Sequence, residues 1–173
     1  ISGEKFSGKT HLVNIFLKKF KGVKLEANLL NNDDFKLIKI HQNIVLENVN
    51  KDIDEKLIYT LLNIIDQDNK YLIITSEEPL VEIDFKLPDL KSRSKIFLLQ
   101  SIENPDDELI FALILKNLSD RQISLEKKLI DYIIKRIDRS YGKIFDFIYK
   151  IDELSLRKKK SIDFKIIKEV LGE

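Results

Sequence analysis

The segment Gly3-Glu4-Lys5-Phe6-Ser7-Gly8-Lys9-Thr10 fits G-x-x-x-x-G-K-[ST] at every fixed position and opens directly into an apolar-periodic stretch, 11–20. That pattern specifies a phosphate-binding loop between a strand and a helix, which confines the fold to α/β architectures of the P-loop NTPase kind. The glycines let the backbone wrap an anion. Successive N–H groups then turn inward, and the positive end of the next helix faces the charge. In such a loop the backbone from Gly3 to Gly8 (Glu4, Lys5, Phe6 and Ser7 between them) forms the cradle. Lys9 reaches the β- and γ-phosphates, and Thr10 offers its hydroxyl to Mg²⁺. His11 is expected to line the pocket or cap the loop.

The rest of the periodicity agrees with a parallel sheet flanked by helices. Leu12, Ile15, Phe16, Lys19 and Phe20 give the first helix an apolar stripe, with Gly22 as its C-cap. Residues 23–25 form a short strand, followed by a polar loop, 28–34. Asn43-Ile44-Val45-Leu46-Glu47 has the continuous apolar centre of a buried parallel strand. A helix over 54–66 turns Leu57, Ile58, Leu61, Leu62 and Ile65 inward, and strands follow at 71–75 and 95–99. Short strand–helix–strand connections make right-handed parallel units.

Beyond Leu99 the period is helical throughout. Asn104-Pro105-Asp106 starts one helix, Ser124 caps the next, a third covers 143–156, and Asp163 caps a last one through Leu171. The expected organisation is a nucleotide-binding core, 1–99, and a small α-helical lid domain, 100–173. A phosphate loop ordinarily follows a complete buried strand, so a native segment is expected ahead of Ile1.

A second NTPase element should be a strand ending in an acid that holds Mg²⁺. Glu47 is so placed, with Asn48 where a second acid would orient the attacking water; a merely polar strand end is the alternative. One carboxylate and one amide favour binding without efficient turnover. In Leu87-Pro88-Asp89-Leu90-Lys91-Ser92-Arg93, a short helical turn displays Arg93 either toward a neighbouring subunit's phosphates or as an ordinary surface arginine.

Composition removes several classes of function. Lys+Arg 30 against Asp+Glu 29 leaves a net charge of +1, which calls for neither nucleic acid nor an anionic membrane. The basic run Arg157-Lys158-Lys159-Lys160 is expected to be solvated at a helix end rather than to bind DNA. With no cysteine there is no disulfide framework, thiolate metal site or cysteine nucleophile, which suits a reducing compartment; the expected location is cytoplasmic. His11 and His41 lack zinc-site spacing. No apolar stretch approaches the roughly 20 residues of a spanning helix, so no membrane role is expected.

Gly3 to Leu12, Thr75-Ser76-Glu77, the segment Leu87 to Arg93, Asp138-Arg139-Ser140-Tyr141 and the ending from Ser161 to Leu171 occur in the order found in the AAA+ core of the bacterial replication initiator DnaA. The chain most resembles the short DnaA-related proteins of the Hda type. This resemblance implies a Rossmann-like αβα core with a helical lid, bound ADP or ATP, and Arg93 as an arginine finger acting on DnaA's ATP. It places Glu77 at a sensor position, Glu47-Asn48 at the acidic pair, and Gly142 where relatives carry a sensor arginine, with Lys143 adjacent. It also implies DnaA and the DNA polymerase sliding clamp as partners, leaving self-association open. Because DnaA continues into a DNA-binding domain and this sequence ends at Glu173, direct DNA binding is not expected.

Overall fold

In the computed structural model, which describes residues 1–172, Gly8 is left-handed (φ 96°) and helix α1 (Lys9–Lys19) starts at the next residue. Strand β1 (Gly22–Glu26), helix α2 (Asp34–Ile40), strand β2 (Asn43–Val49), helix α3 (Glu55–Gln67) and strand β3 (Tyr71–Ser76) follow, then the short helix α4 (Pro88–Arg93). The strands lie in the order β1-β2-β3, all parallel. Ser2 bridges in parallel to both Ser76 and Ser101, so the residues leading into the loop lie beside the end of β3. This puts the loop at the carboxyl ends of the strands, where open α/β sheets bind ligands.

The described chain divides into two compact units, Ile1–Ile102 and the residues from Glu103 onward. The core of the first is built from Ile44 and Leu46 of β2, Ile38 of α2, and Ile58, Leu61, Leu62 and Ile65 of α3. The second holds α5 (Asp107–Asp120), α6 (Lys127–Ile134), α7 (Tyr141–Lys158) and α8 (Phe164–Leu171). Ile110, Ile114, Ile130, Ile133, Ile148, Ile151 and Ile167 close its own core. Three of these helices start with a side-chain cap: Asp106 accepts from the Leu109 N–H, Ser140 from Lys143, and Asp163 from Ile166. Glu173, the last residue of the expected lid, lies outside the described residues. Among those described, no helix is long and apolar enough to cross a membrane.

Several local expectations are corrected. Residues 95–99 are not a strand: they turn away after α4, with Ile96 81% and Leu98 96% exposed, and only Ser101 bridges to Ser2. A short apolar run is ambiguous unless a neighbouring strand covers it. The polar loop runs into a helix, α2, anchored by buried Ile38. Ser124 does not cap α6, whose N-cap is Glu126 without a side-chain bond. On α1 the buried residues are Lys9 and Val13, whereas Leu12, Ile15 and Phe20 of the expected stripe are exposed. The loop fixes the helix's rotation by burying Lys9, and Val13 lies one turn further on the same side.

Gly22 is not the cap of α1, which ends on extended Phe20; it begins β1, close against β2. A Cβ there would lie 2.3 Å from the Asn43 carbonyl oxygen and 2.9 Å from the Asn43 Cβ. Backbone cannot swing aside as a long side chain can, so the strands would have to separate. Gly22→Ala is expected to cost about 2 kcal/mol, the scale of overpacking, and to lower the melting temperature by several degrees in a thermal denaturation.

Candidate functional site

The loop from Gly3 to Gly8 is shaped by two left-handed residues, Phe6 (φ 69°) and Gly8 (φ 96°). Gly8 adopts this conformation without penalty, whereas a bulky phenylalanine held there stores about 1 kcal/mol or more of strain. Alternation of right- and left-handed residues is what turns backbone N–H groups toward a common centre. The Ser7 N–H donates to the Glu4 carbonyl at 3.1 Å and closes the turn. Gly3 N–H is shared between the carbonyls of Ser76 and Glu77, each at 3.2 Å, which ties the loop to the end of β3.

Lys9 is buried and folds back over the loop, its Nζ donating to the carbonyls of Gly3 (2.5 Å) and Glu4 (3.0 Å). An ammonium has three donors, so this leaves one for an anion. Burial pushes the Lys9 ammonium below the usual lysine range, while the carboxylates of Glu77, Glu4 and Glu47 pull it back up. The Ser7 Oγ is buried with no hydrogen-bond partner among the described residues. Such a hydroxyl costs roughly 1–3 kcal/mol unless something accepts from it. A cavity of about 1200 Å³ opens at the loop, lined by Glu4 to Thr10, by Asn28, by Asn48 to Asp52, and by Glu77 and Glu78. Left-handed turns at Phe6 and Gly8, a spare ammonium donor on Lys9 and an unsatisfied buried hydroxyl on Ser7 suit a phosphate group, so the residues fit a nucleotide.

The metal-side residues do come together. Thr10 Oγ1 donates to Glu47 Oε1 at 2.7 Å, and Glu47 is almost completely buried. Yet the other carboxylate oxygen, Oε2, is 3.0 Å from the Lys24 Nζ. Asn48 is a bulge residue at φ 62°, where the β2–β3 register shifts; its N–H donates to Thr75 Oγ1 (3.1 Å) and its amide to Glu26 Oε2 (2.8 Å). No group of three His, Cys, Asp or Glu side chains is assembled to hold a metal among the described residues. Both carboxylate oxygens of Glu47, the residue expected to hold Mg²⁺, are thus engaged, one by Thr10 and one by Lys24.

His11, expected to line the pocket or cap the loop, is an exposed residue of α1 outside the cavity lining. Arg93 also lies outside the cavity lining. It ends α4, where Nη1 donates to Asp66 Oδ2 and Nη2 to Asn63 Oδ1, each at 2.8 Å, and its guanidinium sits 5.4 Å from the Tyr59 ring centre. In the second unit Gly142 is the second residue of α7, and the Lys143 side chain is exposed. Arg157, Lys158, Lys159 and Lys160 are exposed as expected, with Lys158 paired to Glu169. Lys24 was not anticipated. A charge in the middle of the apolar strand segment Val23-Lys24-Leu25 is the signal that could have marked it.

Residues 106–171 match the family model "Hda, lid domain". The fold is similar to that of domain III of the replication initiation protein DnaA from Thermotoga maritima, with a TM-score of 0.76 at 17% identity over 99% of this chain and 81% of that one. AMPPCP-bound DnaA from Aquifex aeolicus matches with a TM-score of 0.66 at 21% identity, over 91% of this chain and 58% of that one. A RuvB mutant from Thermotoga maritima gives 0.75 at 13%, over 99% and 60%. The chain thus spans less than two thirds of the last two. At these identities the solved structures speak for the AAA+ fold alone, and the family match covers 106–171 only.

Proposed function

We propose that this chain is a DnaA-related AAA+ protein of the Hda type that binds an adenine nucleotide and promotes hydrolysis of the ATP held by DnaA, so restraining initiation of replication. The observation that carries the reading is the position of Arg93, outside the lining of the chain's own phosphate cavity and on the last turn of α4. An arginine so placed does not serve its own nucleotide. It suits the charge that develops on a neighbour's phosphates.

The nucleotide's part is structural. Gly3 to Thr10 would hold its phosphates, with Lys9 and the Ser7 hydroxyl donating to them. Supporting adenine, AMPPCP is bound by the Aquifex aeolicus DnaA, whose fold this chain shares. Turnover by the chain itself is poorly equipped, since Asn48 cannot take a proton from water and its amide is held by Glu26. DnaA is the proposed partner; attachment to the sliding clamp rests on the resemblance alone.

ADP at a hundred times its dissociation constant is expected to stabilise the fold by about 2.7 kcal/mol, raising the melting temperature where AMP does not. The functional test mixes the chain with ATP-loaded DnaA, with and without clamp on DNA, and follows phosphate release. Stimulation is the expected result, and unchanged release under both conditions would reject the regulatory reading.

A further inference from the structure

We propose that Lys24 is a built-in cation of the phosphate site, so that nucleotide binding by this chain does not depend on Mg²⁺; the inference rests on the nucleotide reading above. Register pairs Lys24 with Val45 and Glu26 with Glu47. Side chains alternate along each strand, so Lys24, Val45 and Glu47 share one face of the sheet. There the Lys24 Nζ lies 3.0 Å from Glu47 Oε2, with the lysine side chain 38% exposed and the glutamate 2%. The second oxygen of the same carboxylate accepts from Thr10, the residue whose hydroxyl a divalent ion would engage.

A carboxylate buried beside a phosphate site is a liability unless a cation sits with it, because two negative groups repel strongly away from water. In most phosphate loops the magnesium ion supplies that charge. Here the chain supplies it from β1. An incoming divalent ion would find both oxygens of Glu47 engaged, its charge balanced and an ammonium already in contact with it. The acid paired across from Glu47, Glu26 on β1, is itself held by the Asn48 amide, and Asn48 stands where a second acid of β2 would follow. Lys24 and Glu47 both lie outside the cavity lining, to which Glu47 is joined through Thr10. Lys24 acts through Glu47, as a positioning and neutralising residue.

The test is isothermal titration of the chain with ADP, once in excess Mg²⁺ and once in excess EDTA. Wild type is expected to bind with affinities that differ by less than about threefold. Lys24→Met keeps the aliphatic stem and removes the charge. Its affinity in EDTA is expected to fall about tenfold or more, with Mg²⁺ restoring much of the loss, while Lys24→Arg behaves as wild type. A wild-type chain that loses tenfold in EDTA overturns the proposal, as does a Lys24→Met chain with wild-type magnesium dependence. Should Lys24→Met fail to fold, by circular dichroism, the wild-type comparison and Lys24→Arg still decide. The absence of ADP binding to folded wild type in either buffer would sink the nucleotide reading itself, an outcome distinct from binding that merely requires Mg²⁺.

Discussion

Arg93→Ala is expected to abolish the chain's stimulation of ATP hydrolysis by DnaA while leaving its ADP affinity and its fold unchanged. An arginine finger contributes roughly 10³ to 10⁵ in rate, so even partial use of the side chain would leave the variant near the unstimulated baseline. The folding cost is small for a physical reason. Arg93 is 28% exposed and Asp66 69%, and an ion pair so open to water is worth about 0–1 kcal/mol. The cavity lining does not include Arg93, so calorimetry with ADP should not register its loss. Arg93→Lys is the informative companion, because an ammonium cannot reproduce the planar fork that donates to Asp66 and Asn63 at once. It should stimulate poorly as well. Wild-type phosphate release with Arg93→Ala would show the finger assignment to be wrong.

Lys9→Ala should weaken ADP binding by about 100-fold, the equivalent of one or two charge-assisted hydrogen bonds. The wild-type side chain is already buried over the loop, donating to the carbonyls of Gly3 and Glu4, so little ordering is required when an anion arrives. Its removal takes away a loop cation that burial has partly desolvated and that lies amid the carboxylates of Glu77, Glu4 and Glu47. The check is the pair of titration calorimetry and the ADP-dependent rise in melting temperature. Both should shrink together for Lys9→Ala, whereas Lys9→Ala with an undiminished thermal shift would place the nucleotide somewhere other than this loop.

Much of this architecture was legible from spacing alone. The buried strand begun at Asn43, the inward residues of α3, the helix start at Asn104-Pro105-Asp106 and the capping residue Asp163 are local patterns whose signals lie within a few residues of their consequences. Where the reading failed, the deciding neighbour was distant in sequence. Ile96 and Leu98 look like a strand but are exposed, since only Ser101 reaches Ser2. Gly22 has the look of a helix stop, but its reason is the Asn43 carbonyl, brought beside it by strand pairing. On α1 one apolar stripe was visible, but a competing side containing Lys9 and Val13 was buried, because the loop sets the rotation of the helix.

The same division runs through the site. Eight consecutive residues determined the shape of the loop, because its left-handed turns at Phe6 and Gly8 and the return of Lys9 to Gly3 and Glu4 depend on bonds and sterics inside that segment. Glu47 and Asn48 could be read as an altered acidic pair, but not what became of their charge. That depended on the parallel register of β1 with β2, which brings Lys24 to a carboxylate 23 positions away, and on a bulge that turns Asn48 to Glu26. Likewise the arginine in Leu87-Pro88-Asp89-Leu90-Lys91-Ser92-Arg93 could be noticed in the sequence, whereas its residence on Asp66 and Asn63 was settled by the packing of α4 against α3. Backbone conformation over a few residues is a local matter of dihedral angles and hydrogen bonds, but the partner of a charge is chosen by whichever chain segment folding brings within a few ångströms of it.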